Sequence, residues 1–398
     1  MIKNKILLLG GAYAQIPMIK EAKRQGYYVI TCDYLPDNPG HKFADEYHNV
    51  STTDYKGVFE LAQIVKPDLI IAYASDPASP VAAYVSEKLG LPGNSYKSVL
   101  TLAEKDLFRS LMKDIGLNTP RTIVLTPIQD SYEKLESLTL PFVIKPTDSS
   151  GSKGVSKVYK KGQIPGCVQK AFSFSRNKRI IAEEYIDVNG KQVHGDGFVS
   201  NGKLIFTFLG DHNYNSKVNP FVPFATTWPS IKPQNTIKKI DEIVSQVCKK
   251  AGYFNGPINI EARETTEGDI YIMEVGPRSG GNFVPQITSL VTGFDMVKAT
   301  LDVFTKKPVR VNCCNATNYS AYYVIHSSLD GQLQKLQLNS GLKRYLKQFH
   351  QNISPGEKVK SFQGANAAIG IMLLTFKTRE EMECIVTNMD QYIELKIK

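Results

Sequence analysis

The chain has 398 residues, 42% hydrophobic and 22% charged, with a formal net charge of +10. That balance is globular and the length suggests two or three domains around a large core, while the lack of any apolar run of about 18 residues excludes a membrane-spanning helix. The lysines are scattered rather than gathered with aromatics in a dense tract, so a solvated basic surface, part of it facing a polyanionic ligand, is expected in place of a nucleic-acid surface.

The basic amino terminus and its short apolar run lack a small-residue cleavage site and read as a first strand, not a signal peptide. Six cysteines show neither a CxxC pair nor zinc spacing, and the adjacent Cys313 and Cys314 are poorly placed to bond each other, so a reducing cytoplasm is the expected location.

In chain order, the pattern predicts strands over 5–10, 28–33 and 68–72, alternating with helices over 14–25, 54–65 and 77–89. Strands alternating with helices imply parallel βαβ units with right-handed crossovers. Ligands bind such sheets at the carboxyl ends of the strands, where Gly11, Asp33 and Asp76 stand. The glycines around Gly11 do not complete the GxGxxG of a dinucleotide site. Turn formers at 90–94 mark a boundary, and a short helix is expected over 105–116.

The pattern then changes. Strands are predicted at 142–146, 155–159, 179–186, 193–200 and 203–209, the last two joined by Asn201-Gly202, a hairpin signal. A helix over 233–251 and strands over 258–262 and 270–275 follow, so this part is α+β with mainly antiparallel sheets. His212 falls in a polar stretch read as an irregular loop, and a tail of mixed strands and helices begins after Arg310.

Three segments carry chemistry. One strand delivers Lys145 into a loop of small residues containing Ser149, Ser150, Gly151, Ser152 and Gly154. It lacks P-loop order, but small residues let backbone N–H groups wrap phosphate oxygens, and Lys145 adds a point charge; a plain Gly/Ser hairpin is the structural alternative. A second apolar strand ends in Glu183-Glu184-Tyr185-Ile186, which can sandwich an adenine and hydrogen-bond its edge, or simply be an amphipathic strand end. The third feature is the pair Glu261 and Glu274 on successive strands turned by Gly268-Asp269. Paired antiparallel, these carboxylates repel unless something neutralises them, and Mg²⁺ held with nucleotide phosphates fits; a structural ion pair with Arg263 or Arg278 is the alternative. Glu274 runs into Gly276-Pro-Arg278-Ser-Gly-Gly281-Asn282, where an arginine at a glycine-lined turn is placed to hold a transferring phosphoryl group.

With these elements in this order, roughly residues 1 to 305 resemble the ATP-grasp superfamily, in its carbamoyl-phosphate-synthetase and biotin-carboxylase-like branch. The motif Glu-Val-Gly-Pro-Arg-Ser-Gly-Gly is similar to that of L-amino-acid ligase-type carboxylate–amine ligases. The resemblance implies a parallel βαβ leading domain (1–94), a helical linker (95–120), a two-part ATP-grasp domain (flap part 121–186, large part 187–309) and a C-terminal α+β extension (310–398). It implies ATP and Mg²⁺ (or Mn²⁺ in its place) as cofactors, with Glu261 and Glu274 as metal ligands. Lys105, Lys145 and the loop 149–154 would contact phosphates, Glu183 to Ile186 adenine, and Gln192 would stand where a ribose-binding Glu is common. Arg278 and Lys145 would be catalytic. Gly11, Asp76, His212, Arg278, Gly281 and Asn282 are candidates for substrate contact.

Gly276 stands where the family often carries a metal-binding Asn, which removes one ligand and leaves its place to water. The implied reaction activates a small-molecule carboxylate as an acyl phosphate that an amine captures, with a homodimer as the default assembly and neither nucleic acid nor membrane as partner. A bicarbonate-activating carboxylase and a non-catalytic ATP-binding module are the rivals, and a nicotinamide oxidoreductase ranks last.

Overall fold

The computed structural model describes residues 4–127, 132–215, 218–311 and 318–398, so Cys313 and Cys314 lie outside the described residues. Its first unit is a four-stranded parallel sheet in the order β3-β2-β1-β4, built from β1 (Lys5–Leu9), β2 (Tyr28–Cys32), β3 (Glu46–His48) and β4 (Leu69–Ala72). Helices α1 (Ile16–Arg24), α2 (Tyr55–Val65) and α3 (Ser79–Leu89) cover its faces. β1 and β2 are buried almost throughout, as expected of strands covered on both faces, and Asp54 caps α2 by accepting from the Lys56 and Gly57 N–H groups.

Helices α4 (Tyr96–Ala103) and α5 (Lys105–Asp114) lead into a second sheet, β5-β8-β6-β7, formed by β5 (Thr122–Leu125), β6 (Phe142–Pro146), β7 (Ser156–Val158) and β8 (Ile180–Glu184), with α6 (Ile164–Phe174) packed on it. An eight-stranded sheet follows. It takes β9 (Val193–Ser200), β10 (Lys203–Asn215), β11 (Asn219–Trp228), then, after α7 (Gln234–Ala251), β12 (Gly256–Glu264) and β13 (Ile270–Gly276). Beyond α8 (Val284–Thr292) and α9 (Met296–Phe304) the chain forms β14 (Tyr319–Ile325), β15 (Gly331–Leu338), β16 (Leu346–Gln351), β17 (Lys358–Val359), β18 (Gly370–Phe376), α10 (Arg379–Thr387) and β19 (Ile393–Ile397). The sheet order β13-β12-β9-β10-β11-β14-β18-β16 shows that three strands of the C-terminal segment continue the sheet of the preceding part, while β15, β17 and β19 make a small sheet of their own. Among the described residues, no helix is long and apolar enough to cross a membrane.

Two sequence expectations change here. His212 is not in an irregular loop: β10 runs on to Asn215 and places it in the sheet. The strand β11 was not anticipated at all. Its alternation is broken by Pro220 and Pro223, yet cross-strand pairing with β10 and β14 holds it in place, which overrides local propensity.

Candidate functional site

A cavity of about 690 Å³ lies between the β6–β8 sheet and the eight-stranded sheet, within the size range of small-molecule sites. Its acidic wall is set by strand register. Glu261 on β12 is directly opposite Glu274 on β13, so both carboxylates share one face and open into the cavity. Gln192 Nε2 donates to Glu261 Oε2 at 2.9 Å, and Lys105 Nζ lies 3.9 Å from Glu274 Oε2. Burial pushes both carboxyl groups up. At Glu261 the His212 and His194 imidazoles and Arg263 outweigh it and hold the group low, at about 2. At Glu274 the adjacent Glu261 and Asp76 add to burial, Lys105 opposes them, and the group stays raised. Two opposed carboxylates with split affinities for the proton are a fitting seat for a divalent cation beside polyphosphate oxygens.

The opposite wall is basic and satisfies itself. Lys145 on β6 points into the cavity and ion-pairs with Glu183 Oε2 at 2.5 Å, while Glu183 Oε1 accepts from Arg109 Nε at 2.6 Å. Arg109, from α5, also donates to the Met273 carbonyl at 2.9 Å, which ties β13 to β8. Burial raises Glu183, but Arg109 and Lys145 overcome it and hold it at about 2; burial draws Lys145 down despite Glu183. The Glu183 carboxylate is therefore engaged with two internal cations, and Glu183, Glu184, Tyr185 and Ile186 together line this end of the cavity. Tyr185 sits under Lys157, 3.2 Å from its ring centroid, and Arg263 joins the Ile186 carbonyl to Gln192 through bonds of 2.8 Å each.

Ser149, Ser150, Gly151 and Ser152 arch over the cavity. Lys105 Nζ donates to the Ser149 carbonyl at 2.8 Å, and Ser152 Oγ donates to the Phe221 carbonyl on β11 at 2.7 Å. Two expected residues lie elsewhere. Gly154 does not line the cavity but packs against Phe174 and Pro146. Gly11 also lies outside it, covered by the His41 ring in the leading domain, with its N–H bonded to Asp33 Oδ2.

Arg278 lines the cavity but is held from one side. Its Nε and Nη2 donate to the two Asp76 oxygens at 2.6 and 2.7 Å, a bidentate pair that joins the leading domain to the end of β13. Gly276 lies beside this pair: a Cβ there would come 3.2 Å from Asp76 Oδ1, a tight approach that the carboxylate would have to yield to. The loop that follows is pinned from below. Asp196 accepts from the Gly280 N–H and from Asn259 Nδ2, and burial against those bonds pushes its carboxyl up to about 6. A Cβ at Gly280 would sit 2.7 Å from Asp196 Oδ1, so any side chain there would have to displace this buried carboxylate. Asn282 and Phe283 then adopt left-handed φ of 52° and 60°, strain of the sort held at binding loops. Gly281 and Asn282 line the cavity with Asp76, His212 and Arg278.

Sequence reasoning missed Arg109, although Lys105 and Arg109 are one helical turn apart. It also gave no place to His194, whose ring stacks on His212 at 4.0 Å, or to the apolar end of the cavity, where Val222, Tyr322, Val324 and Phe362 gather from β11, β14 and the tail. A second cavity of about 230 Å³, lined by Tyr55, Glu104 and Arg176, meets the first at Asp76, Lys105, Ser149 and Glu274.

Residues 138–286, which span both walls of the main cavity, match the ATP-grasp domain family. The chain contains an ATP-grasp domain. Such a domain is the ATP- and Mg²⁺-using part of ADP-forming ligases, and Glu261, Glu274, Lys105 and Lys145 all fall on the cavity that it encloses. Outside the ATP-grasp match, similarity extends along nearly the whole chain. The formate-dependent phosphoribosylglycinamide formyltransferase of Prochlorococcus marinus (strain NATL1A) is 25% identical over 401 residues, covering 98% of each chain. The carbamoyl phosphate synthase large chain of Thermoanaerobacter sp. (strain X514) is 27% identical over 219 residues, 55% of this chain and 20% of that one. Among solved structures, the L-amino acid ligase from Bacillus licheniformis superposes over 100% of both chains with a TM-score of 0.84 at 21% identity, a likeness of fold.

Proposed function

We propose that the chain is an ATP- and Mg²⁺-dependent carboxylate–amine ligase that works through an acyl phosphate. One observation carries this reading: Glu261 and Glu274 stand opposite each other in register inside a cavity whose facing wall offers Lys105 and Lys145. Like charges so placed are destabilising in themselves. When bound, Mg²⁺ neutralises that pair and draws charge from the phosphates of ATP.

The residues present have distinct tasks. Lys105 and Lys145 hold phosphate oxygens, and the 149–152 arch excludes water above them. Glu184, Tyr185 and Ile186 flank the adenine, and Gln192 and Arg263 form its polar rim. Arg278, kept rigid by Asp76, faces the oxygen on which charge grows as a substrate carboxylate attacks the γ-phosphorus and ADP departs. The amine nitrogen then attacks the acyl carbon, phosphate leaves, and the ammonium proton is lost to solvent. No side-chain nucleophile is required, because the work is positioning and charge stabilisation. The two cavities meeting at Glu274 give two substrates a common point of approach, which favours ligation over a module that only binds nucleotide.

Phosphate release from ATP is the test, run with amino acids and other small carboxylates, singly and in pairs with amines, and with bicarbonate as a separate arm. Release that needs both a carboxylate and an amine supports the ligase. Release with bicarbonate alone supports a carboxylase, and nucleotide binding without release under any condition supports a binding module.

A further inference from the structure

The histidines near the acidic wall are not used by the reaction described above. His194 on β9 is paired with Glu261 on β12 and with Gly210 on β10, two residues from His212. Residues two apart on a strand share a face, so register alone brings His194, His212 and Glu261 together. One nitrogen or oxygen from each lies within 4.8 Å of the other two. Among the described residues this is the one group of three His, Cys, Asp or Glu side chains so arranged.

The two rings differ in their anchorage. His212 Nδ1 is bonded to Thr226 Oγ1 at 2.7 Å, which leaves Nε2 directed to Glu261 Oε1 at 3.9 Å. His194 is only 6% exposed, and its Nδ1 has no hydrogen-bond partner. A buried imidazole nitrogen left unpaired is costly, and it asks for something to bind. The rings lie nearly parallel, with 17° between their planes, so their lone pairs converge on one point only when one ring turns. Binding therefore calls for a turn of His194, whose Nδ1 has no bond to give up.

We infer that His194, His212 and Glu261 form a cation site of their own, one that takes a borderline divalent ion such as Zn²⁺ or Co²⁺ in preference to Mg²⁺. Two imidazoles and one carboxylate suit such ions, whereas Mg²⁺ prefers oxygen ligands and retains its waters. The nucleotide's Mg²⁺ needs Glu274 and phosphate oxygens; the histidine site needs neither. Glu261 belongs to both sites, so filling the histidine site draws this carboxylate away from Glu274.

The test uses the tag-free full chain, without nucleotide or Mg²⁺, titrated with Co²⁺ and followed by visible absorption. One Co²⁺ per chain is expected, displaced by Zn²⁺ but not by a large excess of Mg²⁺. His194→Gln or His212→Gln weakens binding by about tenfold or more, whereas Glu274→Gln changes it by no more than about twofold. The wild-type protein loaded with Co²⁺ also shows hyperfine-shifted imidazole N–H proton resonances, which needs no variant to fold. The inference is overturned if no Co²⁺ band appears, if no imidazole resonance shifts, or if Glu274→Gln abolishes binding while both histidine variants bind as wild type.

Discussion

The two walls of the cleft hold comparable numbers of charged groups and treat them in opposite ways. On the β6–β8 wall, Lys145, Glu183 and Arg109 close on one another at 2.5 and 2.6 Å, and Arg109 reaches on to the Met273 carbonyl. On the β12–β13 wall, Glu261 and Glu274 face each other, with Lys105 3.9 Å from one of them and no bidentate cation between. The first arrangement is self-sufficient and holds the fold together. The second is incomplete without a ligand. Electrostatic conflict retained in a folded protein points to a candidate functional site, and on the proposed reading Lys145 serves both the satisfied triad and the phosphates.

Breaking each wall should therefore fail in a different assay. On the proposed reading Glu274→Gln removes a cation ligand, and phosphate release is expected to fall by about a thousandfold in kcat, roughly 4 kcal/mol of transition-state stabilisation. Its melting temperature should hold or rise, because a like-charge pair has been relieved; a protein that loses stability instead would erase the distinction between the walls.

Glu183→Gln is the converse. It strands two buried cations, so urea unfolding should show a loss of about 3–5 kcal/mol. The pH dependence sharpens the same point. A carboxyl held at about 2 in the folded protein, against an ordinary value of 4.5, adds stability that is fully present above pH 4.5 and is lost as pH falls towards 2. The acid limb of the wild-type stability curve should flatten across that window in Glu183→Gln, and an unchanged limb would show that the triad is not the acid-labile element.

Arg278→Lys keeps the charge and loses the bidentate grip on Asp76. A loss of about a hundredfold in kcat, near 2.7 kcal/mol, is expected with little change in KM for ATP. A smaller effect belongs to the arch. Ser152→Ala deletes one hydrogen bond to the Phe221 carbonyl, worth about 1 kcal/mol, and should raise KM for ATP several-fold while leaving kcat unchanged.

What could be read in the sequence was local. The strand–turn–strand around Gly268-Asp269 predicts that Glu261 and Glu274 can meet, and the pairing of β12 with β13 puts them in register. The small-residue loop after Lys145 is equally visible, because its composition is its signal. Contacts made by sheet register across long separations were not visible. His194 reaches Glu261 through the β9–β12 pairing, and Asp76 reaches Arg278 over 202 residues. Gly276 reads as a lost ligand when only its neighbours are considered; its place beside Asp76 depends on how the leading domain docks. The Arg109–Glu183 pair was invisible for a similar reason, since it joins a strand end to a helix 74 residues earlier.

The continuation of the large sheet through β14, β18 and β16 has a consequence for how the protein could be altered. Tyr322 and Val324 form the apolar end of the cleft from β14, and Phe362 joins them from the loop before β18, so on the proposed reading selectivity for the acid would be retuned from the last quarter of the chain, away from Lys105 and Lys145. The same continuity sets a limit on trimming. Deleting this segment would strip β11 of its β14 partner along Ala225, Thr226, Thr227 and Trp228 and leave that edge unpaired, so a shortened protein should self-associate along it.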